Sequence, residues 1–103
     1  MQLNGNDLFA QRSGDYFCIV QPFQHHENTP NYYRKGINVY SFALKPEEHQ
    51  SSGTLNMSRI DTATLDLEYE TGVTSSAHSV SVYGVNYNVL RILSGMGGIA
   101  YSN

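Results

Sequence analysis

The chain has 103 residues and a formal net charge of −3, with a pI of about 5.7. This length suits one small domain, and the acidic balance argues against a nucleic-acid-binding surface, which needs a basic patch. The six Lys and Arg residues are scattered, and only Arg34 and Lys35 are adjacent. The sequence therefore predicts a single domain over residues 1–103 without direct nucleic-acid contact.

The cysteine content and the apolar runs indicate the compartment. Cys18 is the one cysteine, so no disulfide can form within the chain, and its apolar neighbours predict a buried, inert thiol. The start of the sequence lacks the basic and then apolar pattern of a secretory signal. No apolar run approaches the roughly 20 residues that a membrane-spanning helix needs. We expect a soluble protein from a reducing compartment, without a membrane span.

Residues 1–35 are predicted to be mostly loop. Residues 1–13 are polar and contain two pairs of turn-forming residues, Asn4-Gly5 and Asn6-Asp7. The apolar run 15–20 is compatible with a short strand. Residues 21–35 contain two prolines and are predicted to form a long irregular connection, a kind of loop that is often functional or packed against a partner.

Residues 36–103 carry the strand signals. Residues 37–44 alternate with apolar side chains on both faces, which favours a strand buried between two layers, and Pro46 ends it. Residues 54–59 resume the alternation, and residues 62–70 alternate well, with a charged outer face that predicts a half-exposed strand. The signals continue over 80–93 and 98–102, separated by the glycine-rich turn Ser94–Gly98. We predict mutually antiparallel strands at these positions and no helix longer than about three turns.

The run Gln24-His25-His26-Glu27 is the one cluster with metal-binding residue types. Adjacent histidines of a strand point to opposite faces, so they would bind one ion together only in a bent loop. The sequence has no HExxH motif and no second histidine pair at ligand spacing. We predict a hydrogen-bonded loop without a metal ion.

The remaining candidate motifs also favour structural roles. Glu47-Glu48-His49 contains acid–base residue types, but nothing places them in a pocket, so a solvated loop is expected. Ser94–Gly98 is followed by a strand signal, whereas a phosphate-binding loop is followed by a helix. Asn56-Met57-Ser58 fits a glycosylation sequon, although no secretory signal accompanies it. We predict no catalytic, cofactor-binding or metal-binding residue, and therefore no enzyme.

Several stretches carry a specific resemblance. GINVYSFALKPEEHQ at 36–50, SGT at 52–54 and NMSRID at 56–61 closely resemble the major capsid protein of large nucleocytoplasmic DNA viruses, of the mimivirus, phycodnavirus and iridovirus type. The stretch 82–102 is similar to the C-terminal end of the same proteins, and 3–7 with 20–26 are also similar.

The resemblance implies a structural function. Proteins of this family have a double jelly roll of several hundred residues, and three copies form a pseudo-hexagonal capsomer that tiles an icosahedral shell. This chain matches the C-terminal part of the second jelly roll, which implies an all-β, antiparallel jelly-roll β-sandwich that is incomplete. The expected partners are other copies of the capsid protein, with minor capsid proteins as further partners. The expected location is the virion, assembled in the host cytoplasm.

Other interpretations stay open from the residues alone. The chain is a functional capsid subunit, a truncated copy or a fragment of a split gene. A second class of function is a small carbohydrate-binding β-sandwich, because lectins share the jelly-roll architecture. Such a module needs an exposed aromatic platform, for which Phe23, Tyr32 and Tyr33 are the loop candidates.

Overall fold

The computed structural model describes residues 1–27, 36–70 and 78–101. The chain divides into two compact units, residues 1–68 and residues 69–103, and each is described by itself. A single domain over 1–103 stays a prediction.

The first unit begins with a small antiparallel sheet. Strand β1 (Gln2–Leu3) lies between β2 (Asn6–Asp7) and β3 (Ala63–Thr64). Gln2 pairs with Asp7 on one side and with Thr64 on the other. The prediction of loop over residues 1–13 was therefore wrong at both strands, and Asn6-Asp7 is strand rather than turn.

The turn between β1 and β2 is Asn4-Gly5, as predicted. Both residues have positive φ, 52° and 81°, which is the backbone of a two-residue hairpin turn and favours the Asn-Gly pair. The Asn4 side chain also accepts hydrogen bonds from the amides of Asp61 and Thr62, at 2.9 and 3.2 Å. The turn thus joins the start of the unit to the segment that leads into β3.

Two short helical segments follow where a strand and an irregular connection were predicted. A π-helical turn covers Tyr16–Val20, and helix α1 covers Gln21–His25. The buried residues Cys18, Gln21 and Pro22 are three and four positions apart, which is helical spacing. The strand interpretation of 15–20 was wrong because an apolar run of this length has no period that separates strand from helix. Pro22 is tolerated because it lies in the first turn of α1.

Aromatic rings form the packed centre of the first unit. The Phe9 ring lies 5.1 Å from that of Phe17 and 5.0 Å from that of Tyr40. Beside them, the buried Gln21 donates to the Tyr16 hydroxyl at 2.9 Å and accepts from the Ser41 amide at 3.3 Å. This buried amide is therefore satisfied at both ends and fastens the helical segments to residues 39–41.

The segment 37–44 forms no strand, so that prediction was wrong. Its amides bond to other groups instead, for example Val39 to the Phe17 carbonyl oxygen at 3.0 Å, and just beyond it Lys45 bonds to Ser52 Oγ at 2.9 Å. Residues 54–59 contain a 3₁₀ turn, Met57–Arg59, capped by the Asn56 side chain. Within 62–70 only β3 is strand. An alternating pattern indicates which side chains a segment can bury, but a β-strand also needs a neighbouring strand with which its backbone can pair.

The second unit is organised around one hairpin. Strands β4 (Leu90–Leu93) and β5 (Met96–Ile99) pair antiparallel around Ser94-Gly95. Both turn residues have positive φ, 53° and 76°, which confirms a tight turn, although it was predicted over Ser94–Gly98 and Met96–Gly98 is strand. A strand was predicted over 80–93, but β4 covers only its last four residues. A second strand was predicted over 98–102, but β5 begins two residues earlier, at Met96, and ends at Ile99. The division into mostly loop over 1–35 and strands over 36–103 stays a prediction, because 28–35 and 71–77 lie outside the described residues.

Among the described residues, five strands and three short helical segments make up the regular structure, and every strand pair is antiparallel. The antiparallel prediction is confirmed for these strands. In the same parts of the chain no helix has the length and apolar content to cross a membrane.

Candidate functional site

The β4–β5 hairpin presents apolar side chains on both of its faces. Cross-strand partners share a face, so Leu90, Ile92 and Ile99 lie on one side and Leu93 and Met96 on the other. All five are 58–76% exposed. We call these five side chains the hairpin surface. An isolated two-stranded hairpin is marginal in water, and apolar residues on both faces are typical of a strand pair packed between two layers.

A side-chain amide extends the hairpin beyond its strands. Asn88 donates through Nδ2 to the Tyr101 carbonyl oxygen at 2.8 Å and accepts the Tyr101 amide through Oδ1 at 3.1 Å. The Ala100 amide also donates to the Val89 carbonyl oxygen at 2.9 Å. The backbone order of the hairpin thus reaches from 88 to 101, although its side chains are uncovered.

The two adjacent histidines contact the same loop through different atoms. His25 ends α1 and donates from Nδ1 to the Leu44 carbonyl oxygen at 3.0 Å, while His26 Nδ1 donates to Glu47 Oε1 at 2.9 Å. His26 Nε2 is buried without a partner in the described structure. His26 Nδ1 is therefore occupied by Glu47, and the two histidines contact different acceptors rather than a shared point. No group of three or more metal-ligating side chains occurs among residues 1–27, 36–70 and 78–101.

The acid–base candidates 47–49 do not come together as a catalytic set. Glu47 also accepts the Glu27 amide at 3.3 Å, and Glu48 pairs with Lys45 at 3.5 Å on the surface. His49 is exposed. Sequence reasoning missed the His26–Glu47 contact because it joins two motifs 21 positions apart, and no local signal predicts such a contact.

Three other predicted features have simple structural roles. Cys18 is only 5% exposed, and its thiol donates to the Asp15 carbonyl oxygen at 3.6 Å, which confirms the buried thiol. Asn56 uses its side-chain oxygen to accept the Ser58 amide at 3.1 Å. Of the aromatic platform, Phe23 is 76% exposed, whereas Tyr32 and Tyr33 lie outside the described residues.

Comparison with known proteins identifies the family. A family model described as large eukaryotic DNA virus major capsid protein matches residues 1–98. The major capsid protein of Phaeocystis pouchetii virus is 60% identical over all of this chain, which covers 20% of that protein. That of Paramecium bursaria Chlorella virus 1 is 48% identical over the whole chain, which covers 28% of it. This chain belongs to the family of large eukaryotic DNA virus major capsid proteins.

Solved structures agree with this assignment. The crystal structure of PBCV-1 VP54, fitted into a reconstruction of the virophage Sputnik, matches 99% of this chain with a TM-score of 0.62 and 41% identity. A quasi-atomic model of the PBCV-1 virus capsid matches with a TM-score of 0.63. In both, the chain covers 29% of the longer protein. The chain thus spans about a fifth to three tenths of the relatives named here.

Proposed function

We propose that this chain serves as a structural part of the icosahedral capsid shell of a large DNA virus. The observation that carries the proposal is 60% identity over the whole chain to a viral major capsid protein. The family match favours this function over a carbohydrate-binding module, and it names a structural protein rather than an enzyme.

Within this proposal the chain contributes the C-terminal strands of a jelly-roll β-sandwich, as the resemblance implies. The hairpin surface supports that role, because it exposes apolar groups on both faces as a strand pair between two layers would. The partners are other copies of the capsid protein in a homotrimeric, pseudo-hexagonal capsomer, with minor capsid proteins around it. The chain makes no direct contact with nucleic acid, and the shell is assembled in the host cytoplasm.

A chimera tests the function. In this capsid chimera, the 103 residues replace the matching segment of the Phaeocystis pouchetii virus major capsid protein. We expect it to form the same capsomers and shells as the unmodified relative under negative-stain electron microscopy. Ile92→Asp, which places a charge on the hairpin surface, should abolish assembly, whereas Gln50→Asp on an exposed loop should not. A folded chimera that forms no capsomers, beside a relative that does, would refute the proposed function.

A further inference from the structure

The turn between β1 and β2 contains the one Asn-Gly pair of the chain, Asn4-Gly5. Asparagine is among the thermally labile residues, because the backbone nitrogen of the next residue can attack the carbon of its side-chain amide. Glycine at that next position leaves the nitrogen unhindered, since it has no side chain. Both residues are exposed, and a Cβ added at Gly5 would meet no atom of the described residues within 4 Å. Water therefore has free access to the reacting groups.

We propose that Asn4 is a site of spontaneous deamidation, which the folded turn suppresses and which local opening of the turn permits. In this reaction the Gly5 nitrogen loses its proton and forms a bond to Asn4 Cγ. The Cγ–Nδ2 bond breaks and ammonia leaves, so that a five-membered succinimide ring remains. Water then opens the ring at either of its two carbonyl carbons, which gives aspartate or isoaspartate. The reaction is a hydrolysis, with water as its co-reactant and no transfer of electrons.

The backbone of the folded turn keeps the two reacting atoms apart. The pairing of Leu3 with Asn6 and the two positive φ values, 52° and 81°, define a type I′ turn, in which the first central residue has a ψ of about +30°. At this ψ the Gly5 nitrogen lies nearly trans to Asn4 Cβ about the Cα–C bond, so it is directed away from Cγ. Attack needs the reacting atoms about 3–3.5 Å apart and aligned. The reaction therefore requires a rotation about the Cα–C bond that is incompatible with the turn.

Hydrogen bonds to the segment before β3 also hold Asn4 in place. Its Oδ1 accepts the Asp61 and Thr62 amides at 2.9 and 3.2 Å, and its backbone amide donates to the Thr62 carbonyl oxygen at 2.9 Å. Two donors on a carbonyl oxygen would favour attack at Cγ if the Gly5 nitrogen were in reach, so the suppression depends on the backbone of the turn. The three bonds stabilise that backbone, and deamidation follows their loss in local opening.

The product determines whether the turn forms again. Aspartate at position 4 keeps an acceptor for the Asp61 and Thr62 amides. Isoaspartate instead continues the main chain through Cγ, which adds one methylene group to the backbone between positions 4 and 5. The two-residue turn then no longer fits the pairing of Leu3 with Asn6. Opening thereby becomes irreversible in the isoaspartate fraction, and that fraction loses the β1–β2 pairing.

Peptide mapping by mass spectrometry tests the proposal on the whole chain. The rate of deamidation at Asn4 is compared among the 103-residue chain in buffer, the same chain in concentrated urea, and a synthetic peptide of residues 1–8. We expect the chain in buffer to react at least about tenfold more slowly than the other two samples. Asn6, which precedes Asp7 rather than a glycine, is the internal control and should react slowly in all three. A chain in buffer that reacts as fast as the peptide or faster, or a chain in urea that does not react, would overturn the proposal.

A substitution in the segment before β3 tests the contact that holds the turn. Asp61→Pro removes the amide that donates to Asn4 Oδ1 at 2.9 Å, whereas Asp61→Ala keeps this amide and is the matched control. The preceding residue, Ile60, already has the extended backbone that proline favours before it, with φ of −100° and ψ of 115°. We expect Asn4 to deamidate roughly two- to fivefold faster in the proline variant than in the alanine variant. Equal rates in two folded variants would overturn the proposal, and if the proline variant does not fold, the comparison of chain and peptide decides alone.

Discussion

The Asn4 contact provides the sharpest test of how the first unit is held together. Asn4 has a left-handed backbone with φ of 52°. Its side-chain oxygen accepts the amides of Asp61 and Thr62, and its own amide donates to the Thr62 carbonyl oxygen at 2.9 Å. Asn4→Ala removes the shared acceptor and places a Cβ-bearing residue without a compensating polar group at positive φ.

The expected loss is about 2–3 kcal/mol. Each hydrogen bond contributes about 0.5–1.5 kcal/mol, and the lower half of that range applies because both bonds are exposed. The left-handed backbone adds about 1 kcal/mol for alanine. Asn4→Gly removes the acceptor but tolerates positive φ, so it should lose only about 1–2 kcal/mol. Asn4→Asp retains an acceptor and should change the free energy of unfolding by less than about 0.5 kcal/mol.

Hydrogen exchange at the Asp61 and Thr62 amides measures this contact directly, whatever the association state of the chain. A loss of 2–3 kcal/mol corresponds to exchange that is roughly 30- to 150-fold faster in Asn4→Ala. The glycine variant should fall between the alanine variant and the unmodified chain. If the alanine variant leaves both amides unchanged, or if alanine and glycine are equivalent, the reasoning from bonds and backbone is wrong.

Three further predictions concern other contacts. Gly53→Ala should lower the free energy of unfolding by about 1–3 kcal/mol in urea, because the φ of Gly53 is 149° and an added Cβ would lie 3.2 Å from the Phe42 carbonyl oxygen. The control Gly14→Ala should be neutral, because an added Cβ there would meet nothing within 4 Å. Equal effects of the two substitutions would contradict this reasoning. Glu47→Ala should lower the free energy of unfolding by about 1 kcal/mol in the same assay, and Glu47→Gln should lower it less, since the glutamine keeps an acceptor for His26. A larger loss in the glutamine variant would mean that the charge of Glu47 matters more than its hydrogen bond. Purified protein should hold no stoichiometric zinc by elemental analysis, and zinc that disappears on replacing His25 and His26 would reveal a site.

The features that the sequence predicted correctly depend on local chemistry. Asn4-Gly5 forms a turn because both central residues need positive φ, which Asn and Gly adopt more easily than other residues. At Ser94-Gly95 the glycine signals the turn, whereas the positive φ of Ser94 is not one that its residue type predicts. Cys18 is buried because its neighbours on both sides are apolar. These features need no knowledge of what lies across the fold, so a single sequence is sufficient to predict them.

The features that it missed depend on distant partners. The pattern of 37–44 indicates a strand, but its inner amides bond to Phe17 and Gln21. Likewise, residues 80–89 alternate like a strand, although the paired strand begins only at Leu90. In both segments the pattern is that of a paired strand, and the described structure offers no strand to pair with. The sequence pattern therefore predicts strand capacity, whereas strand pairing depends on a neighbour that the pattern does not reveal.

The hairpin surface leads to a prediction about the chain on its own. Covering a large aliphatic side chain contributes about 1.5–3 kcal/mol, so the five partly covered side chains of this surface forgo about 5–10 kcal/mol together. That amount is comparable to the whole net stability of a small domain, about 5–15 kcal/mol. We therefore expect the isolated chain to be soluble only with a partner or as an oligomer, since exposed apolar patches and open strand edges favour association. Size-exclusion chromatography should show species larger than a monomer, and Ile92→Ser should reduce them while Gln50→Ser should not. A monodisperse monomer with a cooperative thermal transition would show that these strands close into a smaller sandwich of their own.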